Sequence, residues 1–299
     1  MLSSIAFWGA METGLLFALV ALGVYISFRI LDFPDLTVDG SFPLGAAVCA
    51  TLIVAGWNPW LATLAAMGAG AAAGMLTAWM NVRLNILHLL ASILTMISLY
   101  SINLRIMGKP NVALLTEETV LTPFRDALEA WYLVPVIFFS IVVLVALTAL
   151  HIFLTSEAGL AMRATGANPT MARAQGINTG RMVLTGVALS NALVALAGAL
   201  FAQSQGAADV TMGVGVIVVG LASVIGGEAI LGSRTLLISL FACIAGSLLY
   251  RLAVAFALNA DFIGLKAQDL NLITAVLVAV AIVLPGVRRN MKSVGVRSA

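Results

Sequence analysis

Three carboxylates in a short stretch between two apolar segments are the residues of this chain best placed to handle a charged or polar solute. They are Asp32, Asp35 and Asp39, within residues 31–43 (LDFPDLTVDGSFP). Non-helical backbone at membrane depth is tolerated only where protein buries it or where it lines a wet cavity, and ionisable groups there are functional candidates by default. The candidates for lining a solute path through the membrane are Asp32, Asp35, Thr37, Asp39 and Ser41.

The same stretch also has a purely structural interpretation. Asp39 or Ser41 can cap the helix that follows, and Pro34 and Pro43 can shape the turn before it. The residue types favour neither interpretation, so both stay open.

Chemistry that breaks covalent bonds is not indicated. The sequence contains no G-x-x-x-x-G-K-[ST] stretch, so the chain does not bind ATP through a P-loop. No Ser/His/Asp or paired-carboxylate constellation stands out in the apolar segments, and we expect no catalytic residue and no enzymatic activity. His88 and His151 have no second ligand at a suitable spacing, so we expect no metal site.

A polar island at residues 156–181 (SEAGLAMRATGANPTMARAQGINTGR) separates two long apolar segments. Ser156 can cap a helix that begins at Glu157, whose carboxylate suits the positive end of a helix. We expect Gly166 to break this helix.

A second short helix is predicted over residues 169–175. Asn168 followed by Pro169 is typical of an N-cap with proline at the first helical position. Gly176 is well placed to terminate the helix.

The side chains of this second helix admit two interpretations. Met171 and Ala172 offer an apolar contact, and Arg173 and Gln175 offer polar ones. The island is either a docking element for a soluble partner or an amphipathic connector on the lipid surface. The residues alone favour the two equally.

The elements that must position both stretches are membrane-spanning helices. Apolar residues make up 62% of the chain, charged residues only 9%, and the mean hydropathy is +1.09, whereas soluble domains carry about 25% charged residues. Apolar segments long enough to cross a hydrocarbon layer of about 30 Å recur along the sequence. They are approximately residues 5–30, 42–56, 61–80, 86–104, 132–154, 182–204, 211–231, 235–257 and 269–286.

The predicted fold is therefore an all-α polytopic transmembrane helix bundle of about 8–10 spans. Residues 1–299 are expected to form a single transmembrane domain. The glycine-rich segment 211–231 is expected to be a broken or re-entrant span.

The distribution of Lys and Arg orients the bundle, because cytoplasmic loops are enriched in these residues. With an external N-terminus, ten cations lie inside and five outside. We therefore expect the loop at about 155–181 and the basic tail at about 287–299 to face the cytoplasm.

The island and the segments after it resemble a known family. The stretches GLAMRATGANPTMARAQGINTGRM, ALSNALVALAGAL and GVGVIVVGLASVIGGEAILG are similar to permease subunits of ABC importers of the branched-chain amino acid and ribose type. In that family the matching loop docks in a groove on a separate ATPase and transmits its closure to the spans. The resemblance assigns this coupling role to Gly159, Arg163, Gly166, Asn168, Pro169, Met171, Ala172, Arg173 and Gly176.

The carboxylate stretch carries a second resemblance. DLTVDGS at residues 35–41 is similar to the family's Asp-Leu-Ser-Val-Gly-Ser segment and looks closer still to the tryptophan/tyrosine-type branch. Asp39 departs from the sugar-transporter version. The resemblance implies an amino acid as the solute, aromatic or branched-chain.

The family also implies partners and a location. The expected partners are cytoplasmic ATPase subunits that bind ATP and Mg²⁺, a second permease copy or a related permease, an external substrate-binding protein and membrane lipid. No cofactor is expected on this chain, and no nucleic acid. The expected location is the bacterial inner membrane.

Two other hypotheses stay open at this point. A secondary transporter driven by an ion gradient would suit broken spans and the cluster of carboxylates. A membrane-embedded assembly subunit that transports nothing would also fit the composition.

Overall fold

Helices account for most of the residues that the computed structural model describes, which are residues 4–127, 133–232 and 234–258. This confirms the predicted all-α membrane bundle. The α-helices are α1 Ser4–Val24, α2 Val38–Val54, α3 Pro59–Leu84, α4 His88–Met107, α5 Val134–Thr155, α6 Glu157–Ala167, α7 Pro169–Ala174, α8 Thr179–Gln205, α9 Val216–Leu231 and α10 Leu236–Leu258.

Six stretches within these residues are long and apolar enough to cross a membrane: α1 with its extension to Ile30, α3, α4, α5, α8 and α10. The helices α2 and α9 are apolar but shorter, with 17 and 16 residues. At 1.5 Å per residue they reach about 25 Å, less than the hydrocarbon thickness of about 30 Å. The predicted segment 269–286 and the basic tail 287–299 lie outside the described residues.

The short length of α2 follows from the way in which α1 ends. The last turns of α1 widen into a π-helix, Tyr25–Ile30. Residues 31–37 are then largely irregular, and α2 begins only at Val38. We call residues 31–37 the break segment.

The centre of the bundle is α8, against which α2 and α3 pack closely. Small residues make this approach possible. A Cβ atom on Gly70 would lie 2.5 Å from the carbonyl oxygen of Asn191, and one on Gly74 would lie 2.7 Å from its Nδ2 atom. A larger residue at either glycine would therefore push α3 away from α8.

One end of the bundle carries a two-stranded antiparallel ribbon that the sequence did not predict. It pairs β1, Asn111–Ala113, with β2, Ala207–Asp209, which follow α4 and α8. The amide and hydroxyl of Thr211 donate to Asp209 Oδ1 at 2.7 and 2.5 Å, and these bonds hold the pKa of Asp209 below its usual range.

The opposite end carries α6, α7 and the C-terminal ends of α1, α3, α5 and α9. Arg29, at the end of α1, donates from Nε to Glu228 Oε1 of α9 at 3.2 Å. This ion pair is partly exposed and contributes little stability, but it places the end of α9 beside the exit of α1.

Candidate coupling surface and membrane-embedded site

The polar island forms a helical hairpin of α6 and α7, which we call the coupling hairpin (residues 156–178). Ser156 Oγ accepts from the Gly159 amide at 3.4 Å, and Asn168 Oδ1 accepts from the Thr170 and Met171 amides at 3.1 and 3.0 Å. Gly176 has a φ of +82°, which favours glycine. These bonds confirm the predicted caps and the predicted stop.

The prediction that Gly166 breaks the first helix is wrong. The helix α6 continues to Ala167 and ends before Pro169. A proline restricts the residue before it to extended backbone, and Asn168 has a φ of −159° and a ψ of 96°. The second helix ends at Ala174, one residue before the predicted end.

Gly166 has a different role, which is close packing. A Cβ atom at this position would lie 2.8 Å from the carbonyl carbon of Ile30 and 2.9 Å from the Cα atom of Leu31. One turn earlier, Met162 is fully buried, and its Sδ atom would lie 3.0 Å from a Cβ atom on Gly186 of α8. The inner face of α6 thus rests on the end of α1, the start of the break segment and α8.

The outer face of the hairpin is exposed. Leu160 is 52% exposed and Met171 is 60% exposed. Arg163 and Arg173 are also exposed. Ala172, which was expected to share the outward apolar contact, is instead 3% exposed and faces the chain interior.

The break segment is held to α8 by hydrogen bonds between buried side chains. Asp35 Oδ1 accepts from the Thr37 amide at 2.9 Å, and Asp35 Oδ2 accepts from Asn191 Nδ2 at 2.6 Å. Ser41 Oγ donates to Asn191 Oδ1 at 2.7 Å. One amide of α8 therefore fixes both the break segment and the first turn of α2.

A chain of hydroxyl groups connects the same segment to α3 and α4. The oxygen atoms of Thr37 and Thr77 lie 2.8 Å apart, and Thr77 donates to Thr95 at 2.9 Å. All three side chains are buried. Irregular backbone at this depth is tolerated because protein surrounds it.

Asp39 binds the N-terminus of α9. Its Oδ1 atom accepts from the Ile217 amide at 2.7 Å, and its Oδ2 atom accepts from the Gly215 amide at 3.2 Å. A carboxylate is favourable at a helix N-terminus. The alternative in which Asp39 or Ser41 caps α2 is therefore wrong, because Asp39 caps α9 and Ser41 binds α8.

The contacts of α2 place this cap near the middle of the bundle. Ser41 contacts Asn191, which lies halfway along the 27 residues of α8. Gly40 lies against Met96, near the centre of α4: a Cβ atom on Gly40 would lie 3.2 Å from the Cα atom of Met96. The N-termini of α2 and α9 thus meet at mid-membrane depth.

The structure separates the five path candidates into two groups. Asp35, Thr37 and Ser41 are buried and bonded inside the chain. Asp32 and Asp39 line two different cavities.

The cavity lined by Asp32 measures about 620 Å³ and lies at the hairpin end of the bundle. It lies between the break segment, the turn that joins α3 to α4, and the hairpin, where Gly166, Pro169 and Arg173 face it. The cavity lined by Asp39 measures about 380 Å³ and lies between α2, α4 and the turn before α9.

Sequence reasoning missed Asn191, Thr77 and Thr95, which hold the break segment. Each is one of a few polar residues in a largely apolar helix, and that is the only signal the sequence offers. Such residues hydrogen-bond across helices when they are buried, but the sequence does not name their partners.

These features define a class, the multi-pass α-helical membrane proteins with a span broken at mid-membrane depth and a separate exposed hairpin. A family model described as branched-chain amino acid transport system / permease component matches residues 8–284. The chain belongs to this family and is the membrane subunit of an ABC-type transporter for small solutes, located in the inner membrane.

The chain is similar to three curated proteins, two of which are named as transport permeases. The tyrosine transport system permease protein of Clostridioides difficile (strain R20291) is 37% identical over 268 residues, which cover 90% of this chain and 87% of that protein. An uncharacterized protein of Rickettsia prowazekii (strain Madrid E) is 36% identical over 277 residues, which cover 91% of this chain and 95% of that protein.

The third relative is more distant. The galactofuranose transporter permease protein of Escherichia coli (strain K12) is 29% identical over 210 residues, which cover 67% of this chain and 58% of that protein. No solved structure gives a significant match. The resemblance to branched-chain amino acid and ribose-type permeases, and among them to the tryptophan/tyrosine-type branch, is confirmed.

Proposed function

We propose that this chain forms the translocation path of an ATP-driven importer for an amino acid and couples that path to a separate ATPase through the hairpin. The observation that carries the proposal is the two-sided packing of the hairpin. Its inner face rests on the end of α1 and the break segment, while its outer face is exposed.

The exposed face has the composition of a docking surface for a soluble protein. It exposes two apolar side chains, Leu160 and Met171, and two arginines, Arg163 and Arg173. An apolar contact rimmed by arginine is typical of protein interfaces. The N-caps and the close packing of Gly166 make the hairpin a rigid lever, so that a force on α7 displaces the end of α1.

The lever acts on spans that are linked at their broken ends. The break segment is fixed to α8 through Asp35 and Asn191, and α2 is fixed to α9 through Asp39. A displacement of the hairpin therefore moves the N-termini of α2 and α9 together. In this mechanism Asp32 and Asp39 line the path, and Asp35, Thr37 and Ser41 hold the segment that flanks it.

The same reasoning sets the orientation and the partners. The hairpin carries two arginines, Arg163 and Arg173, and Arg181 follows at the start of α8, all on the side that we assign to the cytoplasm. Cytoplasmic ATPase subunits would dock there and bind ATP and Mg²⁺ themselves. A second permease copy would close the path, and an external binding protein would deliver the solute at the ribbon end.

The proposed solute is an amino acid, with tyrosine or a similar aromatic one as the first candidate. The tyrosine permease relative is more similar than the galactofuranose relative and covers more of the chain. A cavity that presents the carboxylate of Asp39 suits a solute with a positive group better than a neutral sugar.

Reconstitution of the full complex tests the proposal. Proteoliposomes with the chain, its ATPase and its binding protein are expected to accumulate labelled tyrosine only when ATP is supplied on the ATPase side. Ionophores, which collapse ion gradients, are expected to leave this accumulation unchanged. Uptake that persists without ATP and collapses with the ion gradient would identify a secondary transporter, and no accumulation of tyrosine, tryptophan or leucine would identify a non-transporting subunit.

A further inference from the structure

The cavity of about 620 Å³ at the hairpin end is lined by two side chains of opposite charge that do not pair with each other. Asp32 belongs to the break segment and Arg173 to α7, and both line this cavity. Neither side chain forms a hydrogen bond or an ion pair with any described residue. An acid and a base that line one cavity without contact leave room between them for a ligand that carries both charges.

The geometry of α7 directs Arg173 toward the cavity. Pro169 and Arg173 are four residues apart, so they lie on the same face of the helix, and both line the cavity. Met171 is two residues from Arg173, which is about 200° around a helix. Arg173 is also exposed, so it lies at the rim, where the cavity meets the outer surface of the hairpin.

The turn that joins α3 to α4 contributes further polar groups to the lining. Asn85 and His88 line the cavity and are exposed. The His88 ring meets the Phe33 ring edge-on, with 4.8 Å between the centroids, and the two rings form an aromatic wall. Among the described residues, Asp32 and Asn85 are the two other than glycine that have a positive φ, +53° in both. Such backbone conformations cluster at functional sites, and both of these line the same cavity.

We infer that this cavity binds the free amino acid from the cytoplasm and that its occupation inhibits the transporter. The inference rests on the proposed function, because it assumes that the solute is an amino acid and that the hairpin moves. The guanidinium of Arg173 donates to the carboxylate of the ligand. The carboxylate of Asp32 accepts from its ammonium group. The aromatic wall and Val183 contact its side chain.

The charges of the lining favour a zwitterion over a simple anion or a simple cation. The lining holds one carboxylate, of Asp32, and one guanidinium, of Arg173. A phosphate group bound at the arginine would leave the carboxylate uncompensated, and an amine bound at the carboxylate would leave the arginine so. The volume lies within the range of small-molecule sites, about 300–1,000 Å³.

The position of the cavity supplies the reason for inhibition. A bound amino acid connects α7, the break segment and the turn between α3 and α4, which surround it. A displacement of α7 relative to that turn changes the width of the cavity. Since a ligand stabilises the conformation that binds it best, occupation holds the hairpin in one arrangement. A rising cytoplasmic concentration of the solute would therefore slow its own import.

The first test is direct binding to the full chain in lipid nanodiscs, without ATPase or binding protein. Three probes of one shape are compared: tyrosine, tyramine, which lacks the carboxylate, and 3-(4-hydroxyphenyl)propionate, which lacks the amine. Tyrosine is expected to bind about tenfold more tightly than either analogue, because each analogue loses one charge-assisted contact.

Two variants identify which charge binds which group. Asp32→Asn removes the charge and keeps a residue type that tolerates a positive φ, and it is expected to weaken tyrosine and tyramine about tenfold without weakening the propionate. Arg173→Gln is expected to weaken tyrosine and the propionate about tenfold without weakening tyramine. A folding defect would weaken all three probes instead. The control Arg83→Gln removes an exposed cation in the last turn of α3, outside the lining, and is expected to bind all three as the unsubstituted chain does.

The second test measures inhibition. The complex of chain and ATPase is placed in proteoliposomes with the ATPase facing the medium, and ATP hydrolysis is followed as tyrosine is added on that side. Hydrolysis is expected to fall as the cavity fills. Asp32→Asn is expected to need about ten times more tyrosine for half-inhibition, measured against its own rate without tyrosine, as its weaker binding requires.

Four results would overturn the inference. They are an analogue that binds as tightly as tyrosine, no binding of tyrosine, a tyrosine affinity that neither variant changes, and hydrolysis that stays constant while tyrosine is bound. The third would place the bound tyrosine elsewhere in the path. None of them touches the proposed function, which ATP-driven uptake by the full complex tests separately. Conversely, an absence of uptake with the reciprocal binding pattern intact would remove the importer and leave the amino-acid site in place.

Discussion

In both the coupling hairpin and the break segment, side-chain hydrogen bonds stabilise a reversal of the chain. The two sets of bonds differ in the sequence separation of the residues that they join. In the hairpin, Ser156 and Asn168 accept from amides two or three residues away. In the break segment, Asp35 accepts from a residue 156 positions away, and in the first turn of α2 just after it, Ser41 donates to the same residue, 150 positions away. The hairpin is thus shaped by its own sequence, and the break segment is shaped by the helices that surround it.

This difference assigns the two regions different tasks. A locally capped hairpin keeps its shape when it moves, so it can act as a rigid body at the surface. A segment tied to α8, α3 and α4 moves only when those helices move. The contact of Gly166 with Ile30 and Leu31 is where the two regions meet.

The largest effect is expected when Asn191, the partner of the break segment on α8, is replaced. In Asn191→Leu, the buried carboxylate of Asp35 loses its 2.6 Å donor and Ser41 loses its acceptor. We expect a loss of about 3 kcal/mol in the free energy of unfolding, because the buried Asp35 carboxyl keeps only the Thr37 amide as a donor and its second oxygen is left unpaired. Thermal unfolding of the detergent-solubilised chain measures this, and an unchanged midpoint would show that the long-range bonds do not hold the break segment.

Gly166 tests the contact between the two regions. In Gly166→Val, the new side chain overlaps the backbone of Ile30 and Leu31, and we expect about 2 kcal/mol of strain, as for overpacked cores. The ATPase should stay bound and hydrolyse ATP while uptake falls. The matched control is Ala167→Val, at an exposed position next along the same helix, and similar uptake in both variants would contradict a lever role for this contact.

The exposed face of the hairpin is probed by replacing Arg163, Met171 and Arg173 together with alanine. We expect recovery of the ATPase on co-purification to fall about tenfold, since apolar and arginine contacts carry interface energy. Membrane insertion should not change. A control triple at the ribbon end replaces the exposed residues Arg105, Lys109 and Leu115, and an equal loss there would remove the hairpin as the docking surface.

The smallest effect is expected at the cap of α7. Asn168→Ala removes the acceptor of the Thr170 and Met171 amides and should cost about 1 kcal/mol, as other N-cap replacements do. The loss should be confined to the hairpin, measured as faster amide exchange in residues 170–175. Faster exchange in the break segment as well would show that the two regions are not independent.

The contrast in reach also explains how much of the molecule the sequence could predict. Spans and caps depend on apolar runs and on neighbours within one turn, so eight predicted segments correspond to helices and the caps at Ser156 and Asn168 are as expected. The stop of α6 was misplaced, because Pro169 ends the helix and Gly166 serves a packing contact that no local pattern reveals.

The site at mid-membrane depth was only partly predictable. The sequence located the carboxylates in an irregular stretch, but it did not indicate that Asp39 caps α9, 178 positions along the chain. The partners Asn191 and Thr77 are visible only once the helices are packed. The ribbon was missed because three-residue strands carry no periodic signal.

The central claim is that the ATPase docks on the outer face of the hairpin. Site-specific photo-crosslinking tests this claim most directly. A photoreactive amino acid is placed at Met171 on the hairpin or at Leu115 beside the ribbon, both of which are exposed, in the intact transporter within membranes. The account predicts a covalent adduct with the ATPase from Met171 and none from Leu115. Adducts with lipid alone from Met171, or with the external binding protein, would contradict it.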